Sequence, residues 1–249
     1  MLVDTHCHIH EESYSDAEGA YARAIDAGVT SLYMIGTSVE SSRQAIEFSR
    51  THKGCFAVIG VHPHDAKDGI EGIGALLQER HEQVVGIGEI GLDYYYTHSP
   101  REVQIAALEQ QLQWAGDYNL PVSFHVREAF DDFWPVFDNF TGLRGVLHSY
   151  TDTAANMERA LSRGLYFGIN GISTFTKDTA QQAMFDAIPL ENIVLETDAP
   201  FLTPTPKRGT VNEPAYVKYV AEYHANRRDI DFDGFATVTT ANASALFQR

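Results

Sequence analysis

The sequence predicts an α/β protein, a single (β/α)8 barrel domain spanning residues 1–249. Short apolar, β-branched runs alternate with longer amphipathic stretches along the whole chain. A strand followed by a helix, repeated eight times over this length, is the pattern of a closed parallel sheet. A doubly wound open sheet is the alternative fold, but it would leave the histidines described below without a common meeting place.

The elements follow from this alternation and from helix punctuation, such as Ser99 and Pro100 at a helix start and Gly164 after a helix end. The predicted strands are Leu2–His6, Val29–Ile35, Phe56–His62, Val84–Glu89, Pro121–His125, Gly145–His148, Leu165–Asn170 and Asn192–Thr197. The predicted helices include Asp16–Ala27, Ser41–Thr51, Pro100–Tyr118, Thr153–Arg163, Thr179–Ile188, Pro214–Arg228 and Phe235–Phe247. Between the last strand and these final helices, the turn-rich segment Pro204–Pro214 is predicted as a loop over the site.

Composition limits the classes of function. The chain has 44% hydrophobic residues, which is enough for a core, and no apolar run long enough to span a bilayer. Its two cysteines and the absence of a signal-peptide pattern predict a cytoplasmic protein. The net charge of −16 disfavours tight, non-specific binding to long nucleic acid, even with about four positive charges added by two divalent ions. No membrane association and no obligate protein partner are expected.

Histidines concentrate at one predicted edge of the sheet. The sequence has 11 histidines, and chance would place about two of them at strand ends. Barrel enzymes collect their catalytic side chains at the C-terminal ends of their strands, so we predict a metal site at that edge. The histidines at or just past a predicted strand end are His6, His8, His10, His62, His64, His125 and His148.

The segment DTHCHIH, residues 4–10, carries the first candidate ligands. Alternation along an extended chain turns His6 and His8 to one side and Cys7 to the other. Two neutral imidazoles at this spacing can bind one ion at about 2.0–2.1 Å. A pair of ordinary buried histidines is the alternative. Cys7 is predicted to be a packed thiol, and His10 to lie either at the rim of the site or on the surface.

Two further strand ends carry polar side chains. In GVHPH, residues 60–64, we predict that His62 contacts substrate and that His64 lies behind it, a plain loop role being the alternative for His62. In GEIGLDY, residues 88–94, Glu89 ends an apolar strand, where an unpaired carboxylate is costly to bury. Cations remove that cost, and the two oxygens of Glu89 allow it to bridge two ions. A salt bridge from Glu89 to Arg127 is the alternative.

Three more segments, FHVRE, LHSY and ETDAP, place His125, His148 and Asp198 at strand ends. Hydrogen-bonded capping of a strand or turn is the alternative role for each. Asp198 can bind a metal and can also accept a proton from water. Four histidines, one glutamate and one aspartate are too many ligands for one tetrahedral ion, and they favour two adjacent ions.

In this order and at these separations, the motifs resemble the TatD-related family of metal-dependent deoxyribonucleases, a branch of the amidohydrolase superfamily. The resemblance covers nearly the whole chain, from DTHCHIH through GVHPH, GEIGLDY, FHVRE, HSY and ETDAPFLTP to NEPAYV. It implies a (β/α)8 barrel with two divalent ions, Asp198 as general base and His62 orienting a phosphate. It further implies that one ion is bound by His6, His8, Glu89 and Asp198. The other ion would be bound by Glu89, His125 and His148.

One segment departs from the family pattern. After ETDAP the family reads arginine, glycine, any residue, arginine, asparagine, glutamate and proline, whereas this chain reads RGTVNEP. Arg208 matches the first arginine and Val211 replaces the second, so the family's pattern for phosphate binding in this loop is only half met. Arg127, Arg208 and Lys207 are the candidates for holding a non-bridging phosphate oxygen.

Three functions follow as hypotheses. The first is hydrolysis of phosphodiester bonds at the ends of single-stranded or short DNA, with a metal-activated water and with Asp198 and Glu89 as the catalytic carboxylates. The second is hydrolysis of an ester, lactone, amide or aminoacyl-RNA bond at the same metals. The third is a non-catalytic metal-binding scaffold. The mixed nitrogen and oxygen ligands suit zinc, manganese, cobalt or nickel, and also magnesium if waters complete its shell.

Overall fold

The computed structural model describes residues 1–248 and has the predicted (β/α)8 TIM-barrel fold. Over those residues eight strands form one sheet, in which they follow one another in chain order. This sequential order rules out the doubly wound alternative, whose strand order reverses in the middle of the sheet. The strands are β1 (Leu2–Cys7), β2 (Val29–Ile35), β3 (Cys55–Ile59), β4 (Val84–Asp93), β5 (Val122–Arg127), β6 (Gly145–Leu147), β7 (Tyr166–Ile169) and β8 (Ile193–Leu195).

Helices connect the strands, and side-chain caps begin several of them. Ser38, Thr153, Asp178 and Asp231 each accept a hydrogen bond from a backbone N–H of the helix that follows. In the part of the chain from residue 1 to 248, no helix combines the length and apolar character needed to cross a membrane. The helices are α1 (Ala17–Asp26), α2 (Val39–Thr51), α3 (Glu71–Gln78), α4 (Arg101–Asp117), α5 (Phe130–Phe137), α6 (Ala154–Leu161), α7 (Ile172–Phe175), α8 (Thr179–Ala187), α9 (Val217–Arg227) and α10 (Phe232–Phe247).

Some boundaries differ from the prediction. β4 continues to Asp93, so Glu89 lies inside the strand and not at its end. The reason is that buried apolar residues continue beyond Glu89, at Ile90 and Leu92, and keep the strand in the sheet. β3 ends at Ile59, which leaves His62 in the loop that follows. Short 3-10 turns lie at Ala66–Asp68, Leu190–Asn192 and Pro214–Tyr216.

The chain divides into two compact units. The first comprises residues 1–33 and the chain from Ser149 onward, and the second runs from Met34 to His148. In the first unit α10 packs on β1 and β8, and the rings of Tyr33 and Phe247 stack with their centroids 4.1 Å apart. In the second unit, α5 packs its aromatic side chains against Phe124 of β5. That residues 1–249 constitute one domain stays a prediction.

A buried histidine on α9 makes the first unit sensitive to acid. The Nε2 atom of His224 lies 2.9 Å from Oγ of Ser173. Burial, with the nearby charge of Arg228, lowers the pKa of His224 to about 3. The folded state therefore favours the neutral ring, whereas the unfolded chain takes up a proton near pH 6.5. The stabilisation is complete above pH 6.5 and is lost as the pH falls towards 3.

We therefore expect His224→Gln to reduce the acid dependence of stability. Between pH 6 and pH 4, the slope of the unfolding free energy against pH should fall by up to about 1.4 kcal/mol per pH unit, because one proton fewer is taken up on unfolding. Urea unfolding at several pH values measures this slope. The control is Ser173→Ala, which removes the hydroxyl beside His224 and keeps the titrating ring, so it should retain most of the wild-type slope. An unchanged slope in His224→Gln would contradict the assignment.

Candidate metal centre

In the first unit, backbone hydrogen bonds bring the end of β1 against the segment that follows β8. The N–H of Asp198 donates to the carbonyl oxygen of His6, and the N–H of His8 donates to that of Ala199, both at 2.8 Å. Cys7 and Ala199 form a parallel β-bridge between these two bonds. Asp198 has a φ of +58°, a left-handed conformation that aspartate adopts more readily than most residues. This pairing places His6, His8 and Asp198, the first cluster, side by side.

The ligand atoms of the first cluster have the separations expected around one ion. Nε2 of His6 lies 3.1 Å from Nε2 of His8, and Oδ1 of Asp198 lies 3.7 Å and 3.4 Å from these two atoms. Tetrahedral coordination with bonds of about 2.1 Å separates neighbouring ligand atoms by about 3.4 Å. Both imidazoles are buried. The first cluster therefore fits a divalent cation.

A buried carboxylate supports the first cluster from behind. Asp4 accepts hydrogen bonds from the backbone N–H and hydroxyl of Thr197, at 2.9 Å and 2.6 Å, and from the N–H of His6 at 3.3 Å. Burial raises the pKa of Asp4 to about 8, although the bonds from Thr197 and His6 act in the opposite direction. Asp4 thus joins the strand that carries His6 to the residue before Asp198, a role that the sequence analysis did not assign.

The neighbours of His6 and His8 resolve two of the alternatives in this segment. Cys7 is buried and its thiol donates to the carbonyl oxygen of Tyr33 at 3.5 Å, so the prediction of a packed thiol is confirmed. His10 is buried as well, and its ring centroid lies 6.3 Å from that of His8. A surface position for His10, one of the two alternatives, is therefore wrong.

In the second unit, imidazoles surround the carboxylate of Glu89. Oε1 of Glu89 lies 2.8 Å from Nδ1 of His125, 3.6 Å from Nε2 of His62 and 3.9 Å from Nε2 of His148. These residues, His62, Glu89, His125 and His148, form the second cluster. The alternative salt bridge between Glu89 and Arg127 is not what the structure shows, because the Arg127 guanidinium lies over the ring of Tyr95.

His62 differs from the other imidazoles of the second cluster in its protonation. Burial, together with the charge of His125, holds the pKa of His62 well below its usual range, so the ring is neutral. Its Nδ1 accepts a hydrogen bond from the backbone N–H of His64 at 3.1 Å. A neutral ring carries one proton, and that proton is therefore on Nε2. An Nε2–H group is a hydrogen-bond donor and is poorly suited to bind a cation, which favours substrate contact for His62.

Asp93, at the end of β4, is the main functional candidate that the sequence analysis missed. Its Oδ2 atom lies 2.9 Å from Nε2 of His64 and 2.9 Å from Nε2 of His125. Its Oδ1 atom accepts the N–H groups of Tyr95 and Tyr96, both at 3.0 Å. Burial raises the pKa of Asp93, but the hydrogen bonds, above all that from His125, outweigh it and hold the pKa well below the usual range.

The alternation of side chains along β4 could have identified Asp93 as a site residue from the sequence. Asp93 is four residues after Glu89, and side chains two or four apart lie on the same face of a strand. The prediction ended the strand at Glu89 and so lost this relation. Between the two carboxylates, Gly91 has a φ of +152°, and a Cβ atom there would overlap the carbonyl oxygen of His125. The close approach of β4 to β5 at this point therefore requires glycine.

His125 lies between two carboxylates, whose negative charge a bound cation would balance. Nδ1 faces Glu89 and Nε2 faces Asp93. Burial disfavours a protonated His125, but the hydrogen bonds to Asp93 and Glu89 outweigh burial and raise its pKa. Without a metal, protons between the ring and the carboxylates balance these charges. Metal binding releases such protons, because imidazole ligands bind in the deprotonated form. The second cluster also fits a divalent cation.

The two predicted phosphate-binding arginines lie outside the clusters. Arg127 is exposed, with its guanidinium 3.9 Å from the centroid of Tyr95. Arg208 donates from Nη1 to the carbonyl oxygen of Thr203 at 2.8 Å and lies 3.8 Å from the ring centroid of Phe175.

The loop that carries Arg208 is anchored by a residue with no role in the sequence analysis. Asn212 is fully buried, and its side chain donates to the carbonyl oxygens of Thr197, at 2.8 Å, and of Phe201, at 2.5 Å. Thr197 and Phe201 lie on either side of Asp198 in the sequence, so Asn212 holds the loop beside the first cluster.

Comparison with known proteins places these motifs in context. Residues 3–248 match the family model described as TatD related DNase. The chain is 36% identical over 253 residues to the uncharacterized metal-dependent hydrolase YabD of Bacillus subtilis, covering 100% of this chain and 99% of that protein. It is 36% identical over 243 residues to the 3′-5′ ssDNA/RNA exonuclease TatD of Shigella flexneri, covering 93% of each chain. The crystal structure of YjjV, a TatD homologue from Escherichia coli, superposes with a TM-score of 0.92 at 27% identity, covering 100% of this chain and 98% of that one.

The position of Asp93 leads to a specific prediction about metal binding at the second cluster. We expect Asp93→Asn to weaken metal binding by about 10- to 100-fold, because an amide cannot hold His64 and His125 in place as a charged acceptor does. Competition with a chromogenic chelator, with Mn²⁺ or Zn²⁺, measures the affinity.

The control for that variant is Asp132→Asn. Asp132 accepts hydrogen bonds from Tyr94 and Arg101 in the same unit and contacts no histidine among residues 1–248. Wild-type metal affinity in a correctly folded Asp93→Asn protein, with the control also unchanged, would show that Asp93 does not organise the ligands.

Proposed function

Because the chain belongs to the TatD-related DNase family of metal-dependent hydrolases, we propose that it hydrolyses phosphodiester bonds at the ends of single-stranded or short DNA or RNA. The observation that carries this proposal is the pair of clusters, in each of which three imidazole and carboxylate ligand atoms lie within 4.8 Å of one another. The direction is taken from the Shigella flexneri relative, which is named a 3′-5′ ssDNA/RNA exonuclease. We therefore propose removal of nucleotides from the 3′ end.

We propose two divalent ions as cofactors. In line with the family resemblance, the first would be bound by His6, His8, Glu89 and Asp198. The second would be bound by Glu89, His125 and His148. When bound, the ions would polarise the phosphate and make a water acidic enough to attack it. The ligand set is compatible with zinc, manganese, cobalt, nickel or magnesium.

The side chains around the ligands supply proton transfer and orientation. Asp198 combines contact with both imidazoles of the first cluster with a partly exposed carboxylate, so it is placed to accept a proton from the attacking water. The Nε2–H group of His62 can donate to a non-bridging phosphate oxygen. The exposed guanidinium of Arg127 can hold the next phosphate along the strand. Arg208 is also exposed, but one of its donors is committed to its own loop, so its contribution is the weaker one.

Charge determines which nucleic acids the protein can hold. The chain has 18 basic and 34 acidic residues, and a strongly acidic protein gains little from the release of counterions along a duplex. Attraction is therefore confined to the cationic centre. We propose that accessible ends and single strands are the substrates, held weakly, and that long duplex DNA is not bound.

The cytoplasmic location belongs to the same proposal. Cys7 and Cys55 are both buried, and neither forms a disulfide within residues 1–248. Burial raises the pKa of Cys55 to about 12, so that thiol is unreactive at neutral pH. Cysteines that form no disulfide are compatible with a reducing compartment.

Asp198→Asn tests the proposed chemistry. The amide oxygen can still bind a cation, but the side chain can no longer accept a proton, so we expect turnover of a 5′-labelled single strand to fall by about 10²- to 10⁴-fold. The control is Asp229→Asn. Asp229 is exposed and has a φ of +54°, compared with +58° for Asp198. This control makes the same chemical change in the same backbone conformation and should keep full activity.

Two outcomes would count against the proposal. Unchanged hydrolysis in metal-loaded Asp198→Asn would remove Asp198 from the mechanism. A panel of oligonucleotide, aminoacyl-tRNA and lactone substrates tests the substrate class. Turnover confined to the carbonyl substrates would replace phosphodiester hydrolysis with the second hydrolase activity considered from the sequence.

A further inference from the structure

Two adjacent tyrosines are exposed just beyond β4. Tyr95 is 52% exposed and Tyr96 is 42% exposed, which is unusual for such large apolar side chains. Their ring centroids are 4.7 Å apart and their planes are nearly perpendicular. Much of each ring is therefore accessible, although the ring of His98 also stacks against Tyr96 with the centroids 5.5 Å apart. The sequence analysis assigned no role to either residue.

Arg127, on the neighbouring strand β5, lies against both rings. Its guanidinium carbon is 3.9 Å from the centroid of Tyr95 and 5.1 Å from that of Tyr96. Cation–π contact of this kind orients a guanidinium and leaves its N–H groups available. Over residues 1–248 Arg127 pairs with no carboxylate, so its charge remains available to an anionic ligand.

The preceding tyrosine, Tyr94, lies beside an arginine whose charge is paired with a carboxylate. Tyr94 donates to Oδ2 of Asp132 at 2.8 Å, and Arg101 lies 4.0 Å from the Tyr94 centroid and pairs with the same carboxylate at 3.0 Å. The charge of Arg101 is therefore balanced by a carboxylate of the same unit. The side chains of Tyr95, Tyr96 and Arg127 combine the same residue types, but within residues 1–248 no carboxylate pairs with this arginine.

The exposed tyrosines are tied directly to the second cluster. Oδ1 of Asp93 accepts the N–H groups of both tyrosines, while its Oδ2 contacts His125. Arg127 is two residues beyond His125 on β5, which corresponds to about 7 Å along the strand. A nucleotide next to a phosphate bound at the second cluster can span that distance.

We propose that Tyr95, Tyr96 and Arg127 form a stacking site for the unpaired nucleobases of a single strand. The inference rests on the proposed function and specifies how that site selects its substrate. Aromatic side chains bind bases of any sequence by stacking, and Arg127 adds a cation for the adjoining phosphate. Bases inside a duplex are already stacked and paired, so they cannot use the site. The stacking site thus selects single strands without requiring the basic surface that this chain lacks.

The test compares two octamers that carry the same phosphates. One is a fluorescein-labelled octadeoxyadenylate and the other an abasic octamer of the same length, both with phosphorothioate linkages that resist cleavage. Fluorescence anisotropy gives the dissociation constants. We expect the wild-type protein to bind the base-bearing octamer about 5- to 150-fold more tightly, the range expected for stacking of one base.

Variants then locate the preference. Tyr95→Leu/Tyr96→Leu keeps apolar side chains but removes the rings, and it should abolish the difference between the two octamers. Tyr95→Phe/Tyr96→Phe keeps the rings and should retain it. Tyr94→Phe is the matched control outside the stacking site and should bind as the wild type does. Thermal melting of each variant verifies its fold.

The remaining outcomes either contradict the stacking site or distinguish its failure from a failure of the proposed function. Equal binding of both octamers by the wild type overturns the stacking site, and this result needs no variant. A preference that persists in Tyr95→Leu/Tyr96→Leu also overturns it. Sedimentation that shows a wild-type dimer lost in that variant would assign the tyrosines to self-association instead. If the base preference is present but no phosphodiester is hydrolysed, the proposed function fails and the stacking site stands.

Discussion

Burial of ionisable side chains within apolar strands and at their ends is the constraint on which the candidate centre depends. His6, Glu89 and Asp93 are each at most 4% exposed, and a buried charge without a partner costs several kcal/mol or more. In each cluster carboxylates therefore lie against imidazoles. Burial and the charge of His125 lower the pKa of His62, whereas for His125 the hydrogen bonds to Asp93 and Glu89 outweigh burial and raise the pKa. A centre of this kind is stable only when its charges are balanced, either by protons or by bound cations.

Backbone contacts bring these side chains together, so none of them has to extend far from its strand. In the first unit, the hydrogen bonds between the β1 end and the segment after β8 place one carboxylate beside two imidazoles. In the second unit, Gly91 lets β4 approach β5 closely enough for Glu89 and Asp93 to face opposite nitrogens of His125. The backbone pairing beside Asp198 and the close strand approach at Gly91 both depend on main-chain positions that tolerate little substitution. The candidate ligands are therefore carried on the strands and on the segments just after them, close to the sheet.

Much of the fold and the centre could be predicted from the sequence, because both follow from local periodicity. Period-two alternation was enough to place His6 and His8 on one face and Cys7 on the other, and the structure agrees. Asp93 and Asn212 were missed for physical reasons. Asp93 needed the true length of β4, which buried apolar residues beyond Glu89 extend. Asn212 acts through contacts 15 and 11 residues away in the sequence, which no local pattern reveals. The free charge of Arg127 likewise depends on which carboxylates are out of its reach.

Metal titration of chelator-treated protein tests the central claim most directly. Mn²⁺ or Zn²⁺ is added in known equivalents while bound metal and the release of label from a 3′-labelled single strand are measured together, for the wild type and for Glu89→Ala. The account predicts no hydrolysis without metal, full activity as two ions bind, and loss of both activity and part of the bound metal in Glu89→Ala. Hydrolysis that persists without metal, or that survives in Glu89→Ala, would contradict it.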